Sequence, residues 1–363
     1  MTLRHRLGIG PGPDPVLAFR TYGVDRNPFP APYETDSFAH LNEDGVHQPL
    51  YDAFAAFIDK AESRVAVLEA RRGCGATHTL KRLLGEVRGT FIHVGMRPHF
   101  TVCVQDPKAG FTALLDQIYG HSLPGLLRGL CQAAAADPQA LDALKPSPAR
   151  SVLRELARRE PFPDGHYVRL AAWFVGHVTA LETGQGATAS YDTLEGHRKA
   201  LTSLFEAMGL LGVRPLTFVF LDRFSPLRPA SPAKTREFLS SLRRLLDSQP
   251  QDLLMTVAAT PRELSSWPAC LPALRTYLAA PFRLPPLENA DQAVRLGMHH
   301  VHAARRLARS RTDGAPGHDP LITQPRMADL YRSLARTHPA GVPQRDFLSA
   351  LHLQARDLLN AAN

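Results

Sequence analysis

Glu69-Ala70-Arg71-Arg72-Gly73-Cys74-Gly75-Ala76-Thr77-His78-Thr79 follows the apolar run Val65-Ala66-Val67-Leu68 and leads into Leu80-Lys81-Arg82-Leu83-Leu84. The apolar run has the length and composition of a buried strand, and the segment after Thr79 begins a helix. A strand, a tight glycine-bearing loop and a helix in that order match the phosphate-loop pattern G-x-x-G-x-G-K-[S/T]. Ala70 stands at the first glycine, Gly73 and Gly75 are kept, Ala76 stands where lysine is expected, and Thr77 keeps the hydroxyl. The scaffold for cradling a phosphate is in place and its principal charge is gone.

Outward from this unit, residues 48–61 have helical periodicity with Leu50, Phe54 and Phe57-Ile58 on one side. Further strands are expected at residues 90–94 (Thr-Phe-Ile-His-Val), 216–221 (Leu-Thr-Phe-Val-Phe-Leu) and 253–258, with a last one within 274–284. Ala/Leu/Arg-rich helices are expected at residues 111–119, 123–136 and 151–159, a buried helix at 170–178, and a surface loop at 182–190. A helix over 232–247 carries Lys234, Arg236, Arg243 and Arg244. Strands alternating with helices imply an α/β fold, a parallel sheet flanked by helices in three layers. After Pro285-Pro286 the pattern is wholly helical. The expected organisation is a flexible leader over 1–19, a core over 20–285 with a helical insertion at about 105–205, and a small helical lid over 286–363.

The strand Phe218-Val219-Phe220-Leu221 ends in Asp222, and an apolar strand ending in an acid is the partner signature of a phosphate loop. There the aspartate holds the Mg²⁺ side and a following glutamate polarises the attacking water. Arg223 occupies the glutamate position.

The order of these pieces resembles the AAA+ ATPases, in particular origin-recognition initiators and the ATPases of transposition and of the secretion-associated group. Tyr22-Gly23-Val24-x-x-Asn27-Pro28-Phe29 is similar to the F-G-x-x-x-N-P-F box near the adenine in those families. Residues 71–79 resemble the first Walker motif and 218–222 the second. Met255-Thr256-Val257-Ala258-Ala259-Thr260-Pro261 resembles the sensor-1 strand, with Thr260 at the polar position. Phe282-Arg283-Leu284-Pro285-Pro286-Leu287 resembles the hinge into the lid. Gly341-Val342-Pro343-Gln344-Arg345 resembles the G-x-P-R element of sensor 2, with one residue inserted before Arg345. The resemblance implies a nucleotide pocket formed by Asn27, Pro28, Phe29, Arg72, Gly73, Cys74, Gly75, Thr77, His78, Thr260 and Arg345. Asp222 and Thr77 would serve Mg²⁺ if Mg-nucleotide binds.

Two positions depart together, Ala76 and Arg223, and no catalytic residue is expected. A charged hydrogen bond of the kind a lysine makes to phosphate is worth about 1.5–3 kcal/mol. The expectation is a pseudo-ATPase that requires no cofactor, with ATP or ADP and Mg²⁺ as the ligands its pocket could still take. The alternatives are a slow hydrolase using Arg72 or Lys81 as substitute cation, and an adaptor that binds protein alone.

The bulk properties fit. The chain has 363 residues, 44% of them hydrophobic and 21% charged, ordinary for a globular protein. No apolar window reaches the roughly 18 residues that a membrane span needs, and no apolar signal-peptide core follows the basic start. Cys74, Cys103, Cys131 and Cys270 form no CxxC or CxxH pair, so a disulfide framework or zinc site is not expected. Cytoplasmic residence follows. A formal charge of +8 and a pI near 9.6 favour an acidic partner, nucleic acid first. In the helix expected over 291–311, Arg295, His299, His302, Arg306 and Arg309 fall within about 80° of one another. They form either a solvated face or a ridge for DNA or an acidic partner subunit. Ala290, Val294, Met298, Val301 and Ala308 make the opposite, core face. His299, His300 and His302 lack acidic neighbours at ligand spacing and do not read as a metal site. The chain ends within the lid, which tilts the comparison from initiators toward transposition or defence ATPases. The expected partners are another AAA+ ATPase or copies of this chain, and DNA.

Overall fold

The computed structural model describes residues 19, 22–31, 48–60, 62–93, 99–103, 110–158, 163–178, 180–182, 188–190, 193–213, 216–222, 231–270, 277–278, 281–309 and 321–362. They divide between two compact units: Met1–Val46, Ala70–Arg82 and Arg283–Asn363 in one, His47–Glu69 and Leu83–Phe282 in the other.

The fold class is α/β, built on a parallel sheet. Its strands are β1 (Arg64–Ala70), β2 (His99–Cys103), β5 (Thr217–Leu221), β6 (Leu253–Ala259) and β7 (Phe282–Leu284), in the order β2-β5-β6-β1-β7. Every residue of β5 and β6 is buried. Such uninterrupted apolar strands belong at the centre of a parallel sheet covered on both faces. The register pairs Leu221 with Val257 and Val257 with Val67. All three strands run the same way.

Helix α1 (Gln48–Lys60) lays Phe54 and Phe57 on β5. Phe54 stacks on Phe218 at 6.0 Å, and Phe57 meets the same ring edge-on at 5.5 Å. Leu50, Phe54 and Phe57 are buried as the periodicity requires, whereas Ile58 is 44% exposed and stands outside that face. Helix α2 (Ala76–His93) runs on through residues 90–93, and the strand expected there lies later, at β2. The β-branched and aromatic residues Thr90, Phe91 and Ile92 favour a strand locally. A helix already nucleated gains a hydrogen bond for each residue added, and that cooperative term wins.

Between β2 and β5 lies the helical elaboration: α3 (Phe111–Tyr119), α4 (Leu123–Ala136), α5 (Pro148–Ala157), α6 (Asp164–Val175) and α7 (Leu194–Leu210). Trp173 and Phe174 of α6 are fully buried, but the buried helix expected over 170–178 ends at Val175, and Val178 is 41% exposed. The expected loop at 182–190 is flanked by a short antiparallel pair, β3 (Ala180–Glu182) with β4 (Thr188–Ser190). Helix α8 (Pro232–Ser248) starts at the Ser231 cap and ends at Gln249, whose side chain is bonded to the Tyr119 hydroxyl inside the core.

In the other unit, α10 (Ala290–Arg309), α11 (Gln324–Ala335) and α12 (Gln344–Ala362) share a core of Leu296, Val301, Met327, Phe347 and Leu351, which also takes in Phe29. Leu287 and Val342 exchange backbone hydrogen bonds of 2.8 and 2.9 Å beside it. Among the described residues no helix is long and apolar enough to cross a membrane.

Neighbouring positions on α1 give a direct test of the sheet packing. Phe57→Ala empties a site against Phe218 and is expected to cost about 3–5 kcal/mol. Ile58→Ala, one residue on, is expected to change stability by about 0.5 kcal/mol or less. Denaturant midpoints at unchanged m-value measure both.

Candidate functional site

The glycine-bearing loop has the backbone its sequence demands. Gly73 (φ +81°) and Gly75 (φ +88°) are left-handed, a conformation that costs other residues roughly 1–2 kcal/mol. The Cys74 amide donates to the Arg71 carbonyl at 3.2 Å, closing a turn, and the Thr79 amide donates to the Gly75 carbonyl at 2.9 Å, opening α2. Ala70 is the last residue of β1 and has no left-handed backbone. The missing first glycine therefore imposes no strain. Helix geometry leaves the first amides of α2 without intrahelical partners, a setting that favours an anion.

The side chains around this turn differ in exposure. Arg71 and Arg72 are exposed, Thr77 and His78 are half-buried, and Cys74 and Ala76 are buried, Ala76 at 4% exposure. At the lysine position there is thus a buried methyl group.

The element expected to carry sensor 2 meets the loop directly. The Arg345 amide donates to the Gly73 carbonyl at 2.9 Å, and the Arg71 guanidinium donates to the Ala340 carbonyl at 3.1 Å. A methyl group on Gly73 would come within 2.9 Å of Pro343 Cβ, and one on Gly75 within 3.2 Å of Gln344 Oε1. The inserted residue, Gln344, is therefore the one whose carboxamide lies against the second glycine. Its role had no signal in the sequence beyond that one-residue offset.

The N-terminal box packs on the same helices. Asn27 donates its amide to the His352 carbonyl at 3.1 Å and accepts the Phe29 amide at 3.1 Å. A ring nitrogen of His352 bonds the Phe29 carbonyl at 2.9 Å. Phe29 is 2% exposed in the core of α10–α12. Pro28 supplies its carbonyl to His300, a residue that sequence reasoning had set aside. His300 is buried, and burial is the main cause that holds its imidazole down to about 3, with nearby His299 and His78 adding to it. It is neutral at physiological pH and donates to Pro28.

Thr260 and Asp222 belong to the other unit. Thr260 caps α9 (Pro261–Cys270): its amide and hydroxyl both donate to Glu263 at 2.8 Å, and the Glu263 amide donates back at 3.3 Å. This reciprocal capping box occupies the hydroxyl. Asp222 is buried, directly after β5. Arg223 lies outside the described residues.

On α10, Arg295, His302 and Arg306 are exposed, His299 is half-buried, and Arg309 is the last residue of the helix. The buried face is centred on Ala293, Leu296, His300 and Val301, with Val294 and Met298 at its margin. The expected core residues Val301 and Ala308 are buried with it, and His300, turned inward to Pro28, widens that face. His300 is thus on the opposite side from His302, and among the described residues no three His, Cys, Asp or Glu side chains are placed to hold a metal ion.

No protein-family model matches the chain, and no curated protein matches it. Among solved structures it is similar to the Aeropyrum pernix ORC2 protein in its ADP form, at 12% identity and a TM-score of 0.39, covering 94% of this chain and 72% of that one. It is similar also to the ADPNP-ADP complexes of that protein, at 13% identity and a TM-score of 0.41, covering 90% of this chain and 69% of that one. The functional reading rests on the residues of this chain alone.

His300 sets a pH dependence. Its pKa is lower in the folded protein than its usual value of 6.5, so the unfolded chain binds the proton first as pH falls. Stability is unaffected above this window and declines from about pH 6.5 down toward about pH 3, by up to roughly 1.4 kcal/mol per pH unit. Denaturation curves between pH 4 and 7 are expected to show this slope in the wild type and a shallower one in His300→Gln.

Proposed function

We propose that this protein is a catalytically degenerate AAA+ ATPase-like subunit with a structural or regulatory role in a multi-protein, DNA-associated assembly. The observation that carries this is the buried methyl group of Ala76 at the first position of α2. A phosphoryl-transfer site works by positioning and electrostatic stabilisation. With alanine there, the loop retains an anion-orienting backbone and lacks the cation that would follow charge into the transition state. Thr260 and Arg71, two other polar groups near the motifs, are already engaged with Glu263 and Ala340.

Such a subunit needs no cofactor for its role. ATP or ADP with Mg²⁺ would bind through Gly73, Gly75 and Thr77 and would serve as a fixed ligand. Its partners would be a catalytically active AAA+ ATPase or further copies of this chain, and its place the cytoplasm. Titration calorimetry with ATP and ADP, paired with a phosphate-release assay, tests the reading. Release indistinguishable from that of Asp222→Ala is expected. Turnover that Asp222→Ala abolishes would overturn it and select a hydrolase using Arg72 or Lys81.

The exposed Arg295, His302 and Arg306 on α10, in a chain of formal charge +8, favour direct contact with DNA phosphates. Duplex binding is expected to weaken steeply with salt, and Arg306→Glu to reduce the slope of log K against log salt by about 0.9. No binding at low salt, together with a stably co-purifying protein, would point to the adaptor.

A further inference from the structure

The contacts between the loop and the start of α12 are made wholly by the chain's own groups. The Asp346 and Phe347 amides both bond the Pro343 carbonyl, at 3.1 and 3.2 Å, which makes Pro343 the residue from which α12 springs. The Arg345 amide is one of the orphan donors of that helix start, and the Gly73 carbonyl accepts it at 2.9 Å. The loop is therefore the N-terminal cap of α12. On its other side the Arg71 guanidinium holds the Ala340 carbonyl, so the loop offers one acceptor and one donor to the segment 340–345. Pro343 fills the space that the missing Cβ of Gly73 leaves, and the Gln344 carboxamide lies against Gly75.

We propose that segment 340–345 is a self-clasp on the phosphate loop, with the Gln344 carboxamide over Gly75 acting as an internal occupant. The clasp holds the loop and α12 together through protein groups, and a phosphate-bearing ligand enters only as Gln344 swings away. A phosphate seeking the amides at the start of α2 must approach beside Gly75, where the Gln344 oxygen would repel it. Ligand entry and the clasp are thus competitive, and ligand affinity is reduced by the fraction of molecules in which the clasp is shut. This goes beyond the loss of turnover, because it concerns admission to the loop rather than chemistry there.

The test uses the full chain, with hydrogen exchange for the clasp and calorimetry with pyrophosphate for the competition. In the wild type without added ligand, the Arg345 amide is expected to exchange far more slowly than in an unstructured peptide. Arg71→Ala removes only one exposed guanidinium contact, and is expected to speed that exchange about 2–10-fold, the range of one hydrogen bond. Gly73→Ala, which forces Pro343 away, is expected to speed it further. Should Gly73→Ala fail to fold, Arg71→Ala carries the measurement. Gln344→Ala is expected to bind pyrophosphate about 2–10-fold more tightly than the wild type, and added pyrophosphate to speed exchange at Arg345 in the wild type. An unprotected Arg345 amide, exchange unchanged in Arg71→Ala, or pyrophosphate affinity equal or weaker in Gln344→Ala overturns the proposal. The phosphate-release assay reads turnover separately, so a failed clasp and a working ATPase are distinguishable outcomes.

Discussion

The left-handed backbone at Gly73 is the constraint on which the N-terminal box, the loop and the C-terminal helices converge. It frees the Gly73 carbonyl to cap α12 through Arg345, and the absent Cβ lets Pro343 come into contact. From that start α12 carries Phe347, Leu351 and Ala355 into the core that holds Phe29, and offers the His352 carbonyl to Asn27. A single backbone hydrogen bond is worth only about 0.5–1.5 kcal/mol. Its importance here is positional: it brings Arg345 to the loop by its amide.

What the loop can still do follows from magnitudes. The helix start of α2 favours an anion by about 0.3–1 kcal/mol. A lysine at position 76 would add a charged hydrogen bond of about 1.5–3 kcal/mol. The smaller of the two contributions is the one that survives.

Much of the core was legible in the sequence, since it depends on local patterns that burial reinforces. The apolar runs at 217–221 and 253–259 could be little other than central strands, and the helices at 111–119 and 123–136 fell where their periodicity put them. Residues 90–93 misled because local β preference was overruled by helix propagation. On α10 the exposed stripe left His300 out, and it is buried, but its bond to the Pro28 carbonyl, far away in the sequence, had no local signature. Thr260 was read as a sensor from its place after β6, while its engagement with Glu263 three residues on was a capping box visible in the sequence. Contacts between residues some 270 positions apart, such as Arg71 with Ala340, have no local signature at all.

Gly73 and Gly75 deserve a different weight after the structure than before it. Read in sequence, they argue for a phosphate, because the phosphate-loop pattern requires them. In the fold both have a reason without any ligand: each has a positive φ, and Gly73 also meets Pro343 at 2.9 Å. Their presence therefore says nothing for or against a bound nucleotide. The residues that do discriminate are those whose identity packing leaves open, and at the centre of the motif that is Ala76. A buried methyl satisfies the packing at the start of α2 and contributes nothing to phosphate recognition. The same turn can thus be kept by the needs of a helix cap whether or not a phosphate is bound there.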